Sequence, residues 1–274
     1  MNSILFLFTD IKLVYFTISL ILSIGLIIST SEDLVNWNIF KYNGLLSWKV
    51  AQHRSKLFLA KGVVGKFWQI FDERIFYLVL ISSFILSAAF FITTITGLIV
   101  PLIPIGLLIT RILLLIRTPY GLDGAYQMSV VLLIAVSIAF LSGISSRISE
   151  LCLWFLSGEL TVSYLIAGGT KIISPIWRKS YALNAIFSTR TYGHGTIYYL
   201  VTKYDAIPKI LCWMTLGFEL GFPLAFLSEH LCIGFCLIGF TFHLFNAIFM
   251  GLNTFLFFFI ATYPALLYCI TKIH

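Results

Sequence analysis

The chain has 274 residues, of which 59% are hydrophobic, 16% aromatic and only 11% charged. Ordinary soluble domains carry about 25% charged residues, so a soluble globular fold is excluded. Apolar runs of about 20 residues, enough to cross a bilayer, predict an all-α polytopic transmembrane helical bundle. The net charge of +7 lies in the loops, where it meets membrane lipid and sets orientation; it does not mark a nucleic-acid partner.

Asp10 and Lys12 precede the first apolar run and no basic stretch leads into it, so it reads as a retained first span over 13–29. A polar interval over 30–74 interleaves Lys41, Lys49, Arg54, Lys56, Lys61, Lys66 and Arg74 with Trp37, Phe40, Trp48, Phe58, Phe67 and Trp68. That mixture predicts segments lying in the membrane interface. A second span over 75–100 ends at Pro101 and Pro104. A short third span over 105–116 carries Arg111, which must face protein or water. Residues 117–125, with Pro119, Gly121 and Gly124, form a tight turn. Asp123 is there either an N-cap or, with Gln127 on the same helix face, part of a site.

A fourth span over 126–141 leads to the stretch 150–193. Its apolar helix is interrupted by Glu159, is expected to break at Gly168-Gly169, and carries Lys171 directly afterwards. Two readings of Lys171 stand: a span-ending cation that reaches the headgroups, or a desolvated amine acting as a base near neutral pH. A second interfacial or loop segment over 172–208 contains Arg178, Lys179, Arg190, His194 and Lys203. Spans over 210–227, 231–250 and 253–271 follow, making about eight spans in a single integral-membrane domain over 1–274. With eight spans every cation-rich interval falls on one side, which the positive-inside rule makes cytoplasmic. That assignment requires the third segment to cross.

Charges inside spans are the main functional signal in such a chain. The candidates are Arg111, Glu159, Glu219 and His243. Charge balance suggests that Glu159 meets Arg111; twelve residues, about 18 Å of helix, separate it from Lys171. His243, Asn246, Met250 and Asn253 would share one stripe of a continuous helix. Asn253 reads as interhelical glue, and His243 with Asn246 as a polar pocket. The cysteines (Cys152, Cys212, Cys232, Cys236, Cys269) read as small buried apolar residues.

The run Ser163-Tyr164-Leu165-Ile166-Ala167-Gly168-Gly169-Thr170-Lys171, followed by Trp177, resembles a motif of the vitamin K-dependent γ-carboxylases and their bacterial relatives, the horizontally transferred transmembrane (HTTM) proteins. Phe242-His243-Leu244-Phe245-Asn246 is similar to that family's Phe-His-x-x-Asn, and 117–127 and Tyr263-Pro264 also resemble bacterial members. The family's first motif lysine is replaced by Thr170, and Trp177 lies one residue farther on. The resemblance implies a cavity for a reduced quinone of the vitamin K or menaquinol type, no metal, Lys171 as the base, and His243 and Asn246 as cavity residues. Trp177, Asp123, Gln127, Glu159 and Arg111 complete the candidate set. The animal enzyme carries a large substrate-recognition domain after its membrane part. Here recognition of a peptide precursor would fall to membrane helices, the basic interfacial segments or a partner protein. Short relatives of the sporulation-delaying-protein-B type are linked to maturation of secreted peptides. The expected location is a bacterial cytoplasmic membrane, and a non-catalytic maturation or export factor is the alternative to an enzyme.

Overall fold

The computed structural model describes residues 7–54, 66, 68, 71–117 and 124–274. Asp123, Lys56 and Lys61 lie outside the described residues. Among the described residues the fold is all-α, and seven helices are long and apolar enough to cross a membrane.

Helix α1, Ile11–Val35, starts where the Asp10 side chain accepts the Lys12 backbone N–H. It runs past the expected end at Ser29. Thr30 and Ser31 donate their hydroxyls to the carbonyls of Leu26 (2.7 Å) and Ile27 (2.6 Å), so their polarity is satisfied inside the helix and does not end it. Helices α2, Glu73–Ile95, and α3, Leu102–Arg117, follow. With 16 residues α3 is about 24 Å long, short of a hydrocarbon core of about 30 Å. It packs between α2 and α4, Gly124–Ser142.

Helix α5, Arg147–Ile173, is capped by the Ser146 hydroxyl, which accepts the Ser149 N–H. The expected break at Gly168-Gly169 does not occur, and the helix continues through both glycines. Helix α6, Ala206–Gly221, is extended by a 3-10 turn over Phe222–Leu227. Helix α7, Glu229–Met250, ends at Gly251, whose φ of 71° is the left-handed conformation that glycine adopts freely. That turn splits the expected His243–Asn253 stripe between two helices. Helices α8, Asn253–Ile260, and α9, Tyr263–Ile273, form the last crossing, broken ahead of Pro264.

The core lies where α1, α4, α5 and α9 meet, with Ile18, Leu22, Leu132, Val136, Leu153, Leu160, Leu266 and Ile270 buried. All five cysteines are free and buried there or beside it, as expected for small apolar side chains. A smaller cluster of Phe40, Phe71, Phe76, Leu80 and Leu114 seats the first interfacial segment on α2 and α3. That segment holds single turns over Trp37–Ile39, Trp48–Ala51 and Gln52–Arg54. Fully buried Arg117 pins it. The guanidinium donates to the carbonyls of Leu46 and Phe40 and lies over the rings of Trp48 and Phe76.

The second segment forms short helices over Pro175–Arg178, Ala182–Phe187 and Gly195–Lys203. Phe187 and His194 of this segment meet Phe245 and Phe249 at the end of α7. Asn253, just beyond, donates to Glu32 at the end of α1 (2.8 Å), the interhelical bond expected of it. The cation-rich segments thus share one end of the bundle.

Candidate functional site

Tyr164, Gly168 and Lys171 are spaced four and three residues apart, so they share one face of α5. That face meets α6 at Gly168. A Cβ there would lie 3.0 Å from Glu219 Cβ and 3.0 Å from the Leu220 side chain, so glycine favours this close approach. The approach sets Glu219 opposite Lys171. Lys171 Nζ donates to Glu219 Oε1 at 2.6 Å and Oε2 at 2.8 Å, and it lies 5.3 Å from the centre of the Trp177 ring. Charge-assisted bonds of this length are among the strong ones in proteins. The two ends are exposed unequally: the Glu219 side chain is 4% accessible and that of Lys171 22%. The pair is neutral overall, and both carboxylate oxygens lie within hydrogen-bond distance of the nitrogen.

Two turns down the same face, the Tyr164 hydroxyl bonds His243 Nε2 at 2.7 Å and the Tyr263 hydroxyl at 3.1 Å. Three helices, α5, α7 and α9, therefore meet in one buried hydrogen-bond chain. His243 is 2% accessible and its ring is stacked on Phe259 (4.7 Å) and Phe255 (6.2 Å). Its Nδ1 has no hydrogen-bond partner among the described residues. The Tyr164 ring rests on Phe218, next to Glu219 on α6, and on Phe222 of the 3-10 turn that follows, so it borders both polar units. Gly239 makes room for the Tyr263 hydroxyl, which any Cβ there would overlap.

The structure thus joins Lys171 to both Glu219 and Trp177, and places His243 nearby through Tyr164. Asn246, one turn beyond His243, is half-buried and makes no side-chain hydrogen bond among the described residues. Gln127 is exposed at the start of α4.

Arg111 belongs to a separate cluster. It is 1% accessible and donates to Ser129 Oγ (2.8 Å) and Ser29 Oγ (3.0 Å). Its guanidinium lies 4.0 Å from the Tyr126 ring centre. The expected Arg111–Glu159 pair does not form, because α3 packs on α2 and α4 while α5 packs on α4, α6 and α9. Glu159 is half-buried, and the ion pairs among the described residues are Arg147–Glu150 and Lys171–Glu219.

Glu219 was legible as an intramembrane charge but not as the partner of Lys171, and Tyr164 and Tyr263 were not legible as site residues. The four-three spacing of Tyr164, Gly168 and Lys171 is the sequence signal that would have found the shared face. Comparison with family models, curated proteins and solved structures finds no match to this chain.

Proposed function

We propose that the chain is an integral-membrane enzyme of a bacterial cytoplasmic membrane. In this reading it carries out quinol-dependent modification of a peptide or small substrate, with Lys171 as the base. The observation that carries the reading is the Lys171 amine at the bundle's cation-rich end, held by a buried carboxylate and left partly open beside Trp177. A span-ending lysine that served only the headgroups would extend outward. Lys171 instead turns back onto α6.

Two features support an aromatic ligand: an indole face beside an amine, and deeper in the bundle an imidazole nitrogen, without a hydrogen-bond partner among the described residues, set among aromatic rings. When bound, a reduced quinone would supply an acidic hydroxyl and, with oxygen, the oxidising power for the modification. Lys171 Nζ accepts a proton on its open side. Trp177 covers one flank of the amine and limits water there. Tyr164, His243 and Tyr263 hold their hydrogen bonds behind the pair and keep α5, α7 and α9 in register.

Oxygen-dependent consumption of a short-chain naphthoquinol by the purified chain tests the proposal. Loss of that consumption in Lys171→Ala, in protein that still folds, is the expected result. A second reading, a non-catalytic factor presenting a peptide precursor for maturation or export, draws on the exposed Arg178, Lys179, Arg190 and Lys203 of the second interfacial segment. Neutralising these four should then abolish peptide capture while Lys171→Ala leaves it unchanged.

A further inference from the structure

We propose that Glu219 is the positioning residue that holds the proton given up by Lys171, so that Nζ is presented as a free amine on the open side of the pair. This deepens the reading of Lys171 as the base and rests on it. Three observations carry it.

The first is geometric. Both carboxylate oxygens lie within hydrogen-bond distance of Nζ, at 2.6 and 2.8 Å. A proton can therefore cross from nitrogen to one oxygen without any side chain moving, while the other oxygen still accepts a hydrogen bond from the amine. The second is charge. Ammonium with carboxylate and amine with carboxylic acid carry the same net charge, so the transfer adds no charge to a buried site. Separated charges in such a place carry a desolvation cost that the neutral pair lacks. The third is the difference in exposure, 4% for the Glu219 side chain against 22% for Lys171. The proton is stored on the enclosed side and the base faces the accessible side. Gly168 fixes the spacing of the two helices on which this depends. The titratable group next to the pair on α5 is Tyr164, backed by His243 of α7 and Tyr263 of α9.

The step balances as a proton transfer. An O–H bond of the quinol-type hydroxyl breaks, an N–H bond forms at Nζ, and the electron pair stays on the substrate oxygen. The pair then carries one extra proton, which leaves through the exposed side of Lys171 to water and restores the starting state.

The test uses the full chain in detergent, compared as wild type, Glu219→Gln and Glu219→Asp. Glutamine keeps the volume and an acceptor oxygen but cannot store the proton; aspartate keeps the carboxyl group. Infrared spectroscopy of the unliganded protein at neutral pH reads the proton directly. We expect a protonated-carboxyl stretch that vanishes in Glu219→Gln and moves in Glu219→Asp. With a short-chain naphthoquinol and oxygen, kcat should fall about 100-fold in Glu219→Gln, as for loss of a proton-transfer group. KM should change little, and Glu219→Asp should recover part of the rate. Should glutamine fail to fold, the shifted band in aspartate carries the test. A spectrum in which neither substitution alters a protonated-carboxyl band overturns the proposal, whether or not the wild type consumes quinol. A Glu219-sensitive band in a protein that consumes no quinol sustains the proton-holding role and overturns the quinol reading alone.

Discussion

Lys171 and Glu219 stand 48 positions apart in the chain and meet in a two-point ion pair, 2.6 and 2.8 Å, on the facing sides of α5 and α6. Removing one member leaves the other polar group without its partner, and an unsatisfied buried polar group costs about 1–3 kcal/mol. Lys171→Met should therefore lower the midpoint of thermal unfolding in detergent, because it strands the enclosed Glu219. Lys171→Met combined with Glu219→Met should recover most of that loss, since two apolar side chains replace the pair at similar volume. The coupling between the single substitutions measures the interaction. Additive losses in the double variant would show that the pair contributes little to stability.

The glycines before Lys171 should behave differently from each other. Gly168→Ala places a methyl group 3.0 Å from Glu219 Cβ and from Leu220, and overpacking of this kind costs about 1–3 kcal/mol. Gly169→Ala has nothing within 4 Å and should be neutral or slightly stabilising, as alanine favours helix. Unfolding midpoints of the two variants check this. Equal effects would contradict the close approach of α5 and α6 at Gly168.

These glycines also show what sequence reading reached and where it stopped. Composition and apolar run length specified the helical bundle, its approximate spans and the burial of the cysteines, because each depends on local hydropathy alone. The fate of Gly168-Gly169 depends on a neighbour. In isolation a glycine pair reads as a break, whereas here Gly168 packs closely on α6 and the helix continues through both glycines. Likewise Ser29-Thr30-Ser31 reads as the start of a polar loop, yet Thr30 and Ser31 bond back to carbonyls of α1 and the helix runs to Val35. Charge balance alone linked Arg111 with Glu159. It could not reveal that Arg111 is served by Ser29, Ser129 and the ring of Tyr126, or that the acid facing Lys171 sits on α6.

In the buried chain of α5, α7 and α9, Tyr164 is the shared member. Tyr164→Phe deprives both His243 Nε2 and the Tyr263 hydroxyl of a partner, whereas Tyr263→Phe removes one bond and leaves Tyr164 with His243. An unsatisfied buried polar group costs about 1–3 kcal/mol, so Tyr164→Phe should destabilise by more than Tyr263→Phe. Chemical denaturation in mixed micelles compares them. A larger loss in Tyr263→Phe would contradict the central place of Tyr164.

Arg117 ties the first interfacial segment to α3 through the carbonyls of Phe40 and Leu46 and two aromatic rings. A lysine cannot reach two carbonyls with one planar group. Both Arg117→Ala and Arg117→Lys should expose residues 36–54 to limited proteolysis, while the transmembrane core stays intact. An unchanged cleavage pattern in both variants would show that the segment is held by its aromatic cluster alone.

In the proposed function Lys171 acts as a base on a reduced quinone. The most direct measurement is the initial rate of naphthoquinol consumption, with epoxide formation, by the purified protein in the presence of oxygen. Wild type is compared with Lys171→Ala at a temperature where both are folded. Turnover by the wild type and a loss of about 100-fold or more in the variant are expected. Equal rates in the two proteins would contradict that role.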